Sequence, residues 1–168
     1  TTAFLATGSK AAGFALLMRV AFSAVPDITA HWSRLLLVIG VLTLLYGSFC
    51  AIPQRSVKRL MGYSSIANAG YLLLGVAAVS RTGSSAVLFY LGGYFFTVLA
   101  IFTVLCALSP VIDGDDIHLL NGLGRRSPFL AAALSIGLVS LAGIPPMAGF
   151  FGKFQLLAAV LEAARLAP

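Results

Sequence analysis

Two lysines stand where lysine is least expected. Lys10 sits in Ala6-Thr7-Gly8-Ser9-Lys10-Ala11-Ala12-Gly13 and Lys153 in Gly149-Phe150-Phe151-Gly152-Lys153-Phe154, both inside long apolar runs. In hydrocarbon a central lysine costs about 2.5–3.5 kcal/mol on insertion scales, so a chain that carries two of them uses them. Desolvation acts against the ammonium and spares the neutral amine, which makes such a lysine a sensible proton carrier. Lys10 is nine residues from Arg19, or roughly 13 Å along a helix, too deep for its head to reach a headgroup layer easily. The five acids are Asp27, Asp113, Asp115, Asp116 and Glu162, and none lies in mid-run beside either lysine. A purely structural lysine pair is the competing reading.

Polar residues at helical spacing accompany the lysines. Ser64, Ser65, Asn68 and Tyr71 fall on one stretch, and Tyr90, Tyr94 and Thr97 on the next, at intervals that place each set on one helix face. Such faces hold water between helices or simply hydrogen-bond one helix to another. A third feature is Gly143-Ile144-Pro145-Pro146, which interrupts an apolar stretch running from Phe129 to Ala164. Proline removes a backbone donor and clashes with the preceding turn, so Gly143, Pro145 and Pro146 predict a discontinuous or reversed helix, with an ordinary proline kink as the competing reading of this feature alone. Carbonyls freed at such a break must meet polar groups, because hydrocarbon offers none. No haem, iron-sulfur, flavin or nucleotide motif is present, and Cys50 and Cys106 lack metal-ligand spacing. Asp113-Gly114-Asp115 reads as a solvated turn, since the remaining ligands of a calcium loop are missing.

The elements that must position these groups follow from composition. Of 168 residues 60% are hydrophobic and 10% charged, which excludes a soluble domain, a disordered chain and a disulfide scaffold. The net charge of +6 does not mark a nucleic-acid binder, because the basic residues gather at the ends of apolar runs. The prediction is an all-α, polytopic transmembrane bundle with one Pro-broken helix, forming a single membrane domain over 1–168. Helices are predicted at 1–22, 34–52, 58–80, 84–108, 128–144 and 147–165, with a loop at 109–127 that carries a short interfacial helix near Ile117 to Leu123. Arg55, Lys58, Arg59, Arg125 and Arg126 outweigh Arg19, Arg34 and Arg81 on the other side, so loops 53–59 and 109–127 are predicted to be cytoplasmic. The chain opens at Thr1 in mid-pattern, which suggests a fragment.

Three runs carry a family resemblance: TAFLATGSKAA at 2–12, VKRLMGYSSIANAGY at 57–71 and SLAGIPPMAGFFGKF at 140–154. In order and spacing they resemble the N-subunit family of bacterial NADH-quinone oxidoreductase, respiratory complex I, and the chain resembles part of its second half. The resemblance implies an antiporter-like, proton-translocating membrane subunit that contains no redox centre itself. Lys10 matches the family's central-helix lysine and Lys153 the lysine on its broken helix, so by resemblance they form the proton relay, with Ser64, Ser65, Asn68 and Tyr94 as a supporting polar track. At Asn68 many family members carry histidine, and asparagine cannot titrate. NADH, FMN, iron-sulfur clusters and quinone are implied in partner subunits, with no cofactor in this chain. The implied partners are other membrane subunits of complex I and the lipid of a bacterial inner membrane, with protons and water as the species moved and no nucleic acid. A cation/proton antiporter or membrane hydrogenase subunit of the same fold is the alternative, and a structural membrane subunit another.

Overall fold

A computed structural model describes residues 2–23, 29–109 and 114–166. The calls on Pro26, Asp27 and Asp113 lie outside the described residues, as do the side chains of Ala3 and Ala6. The chain folds as α1 (Thr2–Ser23), α2 (Thr29–Ala51), α3 (Val57–Ala77), α4 (Arg81–Leu108), a 3-10 turn at Ile117–Leu120, α5 (Leu123–Arg126), α6 (Pro128–Ala142) and α7 (Ala148–Leu166). No strand occurs among the described residues, apart from one isolated bridge. Three segments, His31–Ala51, Val57–Ala77 and Arg81–Leu108, are long and apolar enough to cross a membrane, and Pro128–Ala142 is a shorter apolar helix. The protein is a multi-pass membrane protein.

Helix ends differ from the sequence boundaries for local reasons. α3 ends at Ala77 where the prediction ran to 80, and α4 begins at Arg81 where 84 was expected. Ser80 is the cause: its extended backbone and its side chain, accepting from Gly83 N at 2.9 Å, start α4 early. α2 begins at Thr29, ahead of 34, because Thr29 to Ser33 extend the helical run into the polar boundary. The short helix expected near Ile117 to Leu123 is instead two pieces, a 3-10 turn and α5, parted at Gly122 with φ of 78°. α6 stops at Ala142, two residues before the predicted 144.

α4 is the hub, packed against α1, α3, α6 and α7, while α2 lies along α3. That pair meets through missing side chains: a Cβ on Gly47 would stand 2.5 Å from Ala67 N, and one on Gly70 2.7 Å from Leu44 N. Small residues are what allow membrane helices to approach so closely. The rest of α2 turns Val38, Leu42, Tyr46 and Phe49 outward, as lipid contact requires. Buried apolar residues form two clusters. One joins Met18, Leu36, Leu72, Val76, Val87, Leu91 and Leu156, and the other Met61, Val98, Ile101, Val104, Leu134 and Leu141. On α3 and α4 the clusters occupy opposite ends and meet across a band at residues 64–71 and 90–97, where polar side chains are interleaved with them.

At one end of the bundle the α2–α3 and α4–α6 connections are tied together. Ser56 and Asp116 form an antiparallel bridge, Val57 N donates to Asp115 O at 2.8 Å and Ile117 N to Arg55 O at 2.8 Å. Lys58 Nζ pairs with Asp115 Oδ1 at 2.6 Å in an exposed position. Loops 53–59 and 114–122 therefore share one side.

Candidate functional site

The band between the two apolar clusters holds the polar residues, and both lysines reach into it. Lys10, near the middle of α1, donates through Nζ to the backbone O of Ser65 at 2.7 Å and also to Ser65 Oγ. Its Nζ stands 5.4 Å from the centre of the Tyr94 ring, within cation–π range. Thr7, one turn away on α1, is buried as well. The half-buried side chain thus crosses from α1 to Ser65 on α3, beside Tyr94 of α4.

Lys153 makes a site of the same design on other elements. Its Nζ donates to Leu141 O at 2.6 Å and Ala142 O at 3.3 Å, and lies 5.0 Å from the centre of the Tyr71 ring. The break in the chain creates those acceptors. A helix leaves its last four carbonyls without internal donors. Here Ile144 N serves Val139 O at 3.2 Å and Gly143 N serves Ser140 O at 3.1 Å, the pattern of a glycine-terminated helix. The remaining two, Leu141 O and Ala142 O, are those that Lys153 takes, and a cation at a helix C-terminus also complements its dipole. Gly143 is required twice over: its φ of 83° suits glycine, and a Cβ there would lie 3.0 Å from Lys153 Cδ. Pro145 and Pro146 occupy the turn between α6 and α7. α7 then folds back closely enough that a Cβ on Gly149 would collide with the Ser140 carbonyl.

The face of α3 connects the two sites. Ser65 holds Lys10 and Tyr71 underlies Lys153, six residues apart and so about 9 Å along the axis. Between them Asn68, 3% exposed, accepts at Oδ1 from the Tyr90 hydroxyl at 2.7 Å and donates from Nδ2 to Ser64 Oγ at 3.4 Å. Tyr90 stacks on Tyr94 at 6.3 Å between ring centres. Further along, Thr97 Oγ1 and Ser140 Oγ lie 3.4 Å apart. Ser65 and Tyr94 are therefore brought to Lys10, Asn68 is joined to Ser64 and Tyr90, and Gly143, Pro145 and Pro146 stand at the end of α6 that Lys153 caps. Among the described residues neither lysine pairs with a carboxylate, and the ion pair found is Lys58 with Asp115.

Some contributors were not legible in the sequence. Ser140 and the carbonyls of Ser65, Leu141 and Ala142 were missed, since a backbone oxygen carries no residue-type signal. Gly149 and Gly152, three apart on α7, did carry one: small residues one turn apart mark a face where another element comes close.

Comparison with known proteins places the chain in a wider group. The family model described as "NADH:quinone oxidoreductase/Mrp antiporter, TM" matches residues 1–167. The chain is 48% identical over 161 residues to NADH-quinone oxidoreductase subunit N of Moorella thermoacetica, covering 96% of this chain and 34% of that protein. It is 44% identical to NAD(P)H-quinone oxidoreductase subunit 2 of Gloeobacter violaceus, covering 95% and 31%. Among solved structures, a chain of respiratory complex I from Thermus thermophilus with bound aureothin matches with a TM-score of 0.73 at 35% identity over 96% of this chain and 35% of its own. A chain of the membrane-bound sulfane sulfur reductase, an archaeal respiratory membrane complex, matches with a TM-score of 0.80 at 25% identity over 92% and 34%. The chain spans about a third of the length of the relatives it matches.

Proposed function

Because this chain belongs to the NADH:quinone oxidoreductase/Mrp antiporter transmembrane family, we propose that it supplies the central relay of a proton-translocating membrane subunit of an NADH-quinone oxidoreductase. The observation that carries this reading is the matched pair of lysine sites, each with two oxygen acceptors and one tyrosine face, joined by the polar face of α3. Lys10 and Lys153 exchange the proton. Ser64, Ser65, Asn68 and Tyr94 line its way, and the break at Gly143, Pro145 and Pro146 provides the oxygens that hold Lys153. Water bridges what side chains do not reach, since Ser65 and Tyr71, which meet the two lysines, lie about 9 Å apart along the axis of α3, more than one hydrogen bond spans.

Electron transfer from NADH to quinone belongs to partner subunits, where FMN and iron-sulfur clusters reside, and drives this membrane subunit from outside. The setting is a bacterial inner membrane, with loops 53–59 and 109–127 on the cytoplasmic side. Their basic residues support that orientation by the positive-inside rule, and the Ser56–Asp116 bridge supports their common side.

The test is pumping by the intact subunit in reconstituted vesicles with an internal pH dye. Lys10→Ala and Lys153→Ala are each expected to lower protons moved per NADH while leaving the protein in the membrane, because a small apolar residue suits a lipid-buried helix. Unchanged pumping in both variants overturns the relay and leaves a structural role. A second reading, a cation/proton antiporter of the same fold, rests on the breadth of the family description. Copurification of a soluble redox arm with the full-length protein separates the two.

A further inference from the structure

We propose that Tyr90 is a positioning residue that sets the path between the two lysines, an inference that rests on the proton-relay reading and assigns a role within it. Three contacts converge on this side chain. Its hydroxyl donates to Asn68 Oδ1 at 2.7 Å, in a bond buried from solvent. Its ring stacks on Tyr94, interplanar angle 25°, and Tyr94 in turn faces the Lys10 ammonium. On its other side the ring meets the bare Cα of Gly152, the residue before Lys153: a Cβ there would stand 2.5 Å from Tyr90 Cδ2 and 3.3 Å from Cβ and Cγ. Tyr90 is 3% exposed and belongs to one apolar cluster, whereas Tyr94, one turn on, belongs to the other. It therefore stands at the seam where the polar band crosses the bundle.

The chemistry explains why the seam needs a fixed residue. The proton leaves the Lys10 ammonium, which becomes a neutral amine, and arrives on the neutral amine of Lys153, which becomes an ammonium. Intervening waters each accept one proton and release another, and no bond to carbon changes. Asn68 does not join that exchange, because an amide has two donor hydrogens and an acceptor oxygen but no proton to give up near neutrality. It orders water only if its amide is held one way round. The Tyr90 hydroxyl holds it so, occupying Oδ1 and aiming Nδ2 at Ser64 Oγ. Tyr90 keeps its own proton throughout.

The decisive variants are Tyr90→Phe, which removes the hydroxyl and keeps the ring, and Gly152→Ala, which keeps the hydroxyl and displaces the ring. Both are made in the full-length subunit, in its reconstituted complex, beside Lys10→Ala and Lys153→Ala. Tyr90→Phe is expected to slow proton movement by up to about tenfold, the effect of one buried hydrogen bond on a rate. It is also expected to raise the ratio of pumping in H2O to pumping in D2O, a readout that a merely structural role does not move. Asn68→Leu should give the same loss, and the double variant should add nothing further. If the lysine variants abolish pumping but Tyr90→Phe leaves rate and isotope ratio unchanged, this inference is overturned and the relay stands. If the lysine variants pump normally, both fall. Should Tyr90→Phe not assemble, Gly152→Ala reads the same geometry, and normal pumping with a normal isotope ratio there also overturns the inference.

Discussion

Gly143 shows how much chemistry can rest on a residue without a side chain. Its positive φ ends α6, and its missing Cβ leaves room for the stem of Lys153. Gly143→Ala is expected to cost about 1–2 kcal/mol for the left-handed backbone alone. The added methyl, 3.0 Å from Lys153 Cδ, also requires the lysine stem to shift by a few tenths of an ångström beneath its bonds to Leu141 O and Ala142 O. A lower Tm in detergent together with reduced pumping is the expected result, and a variant that lost stability but pumped fully would detach the cap from the function. At this scale the sequence was informative wherever a side chain was out of place. Lys10 and Lys153 announced themselves as charges in apolar runs, and Asn68 by its interval from Ser64. What they touch was hidden, because three of the four oxygens that hold the lysines belong to the backbone.

The helix pairs are held by shape more than by polarity. α2 approaches α3 across Gly47 and Gly70, where added side chains would meet backbone atoms that cannot step aside. Gly47→Ala is expected to destabilise the pair by about 1–3 kcal/mol, as overpacking does. Gly62→Ala, at a position where a Cβ meets nothing within 4 Å, is the matching control and should leave the Tm unchanged. Thermal unfolding in one detergent, with both variants side by side, checks this. If both variants melt alike, close packing does not explain the interface. Most elements were legible as apolar runs of spanning length, but their ends were not. Ser80 and Gly122 fix ends through a single cap or a single dihedral, and hydropathy does not register either. The break after Ala142 was legible from Pro145 and Pro146, yet its site is set by Gly143, two residues earlier than the prolines.

Across the whole molecule the loop tie at Ser56 and Asp116 gives the bundle a marked end. The Lys58–Asp115 pair on it is exposed, so Lys58→Ala should cost under about 1 kcal/mol and leave the backbone bridge to do the holding. Sidedness is a sharper question. With Cys50 and Cys106 replaced by serine, Asn121→Cys is expected to react with a membrane-impermeant maleimide from the cytoplasmic face only. Labelling from the opposite face would invert the orientation drawn from the basic loops. Beyond this marked end, Gln155 on α7 is exposed in mid-helix, and an amide there is costly against hydrocarbon. Since the chain spans about a third of its relatives' length, a protein neighbour on that face is the expected cover.

The lysine sites have one more property, which follows from counting hydrogens. An ammonium has three N–H groups and a neutral amine two. At Lys153 two oxygens take two of them, and the third is left for the Tyr71 ring. At Lys10 the Ser65 oxygens and the Tyr94 ring divide them the same way. In the proposed relay each lysine can give up its third hydrogen to water while keeping two bonds to oxygen. What replaces it is a nitrogen lone pair, which the electron-rich face of a tyrosine repels where it had attracted a cation. In the proposed relay each lysine therefore changes charge without changing place, and what changes is its attraction to the tyrosine ring.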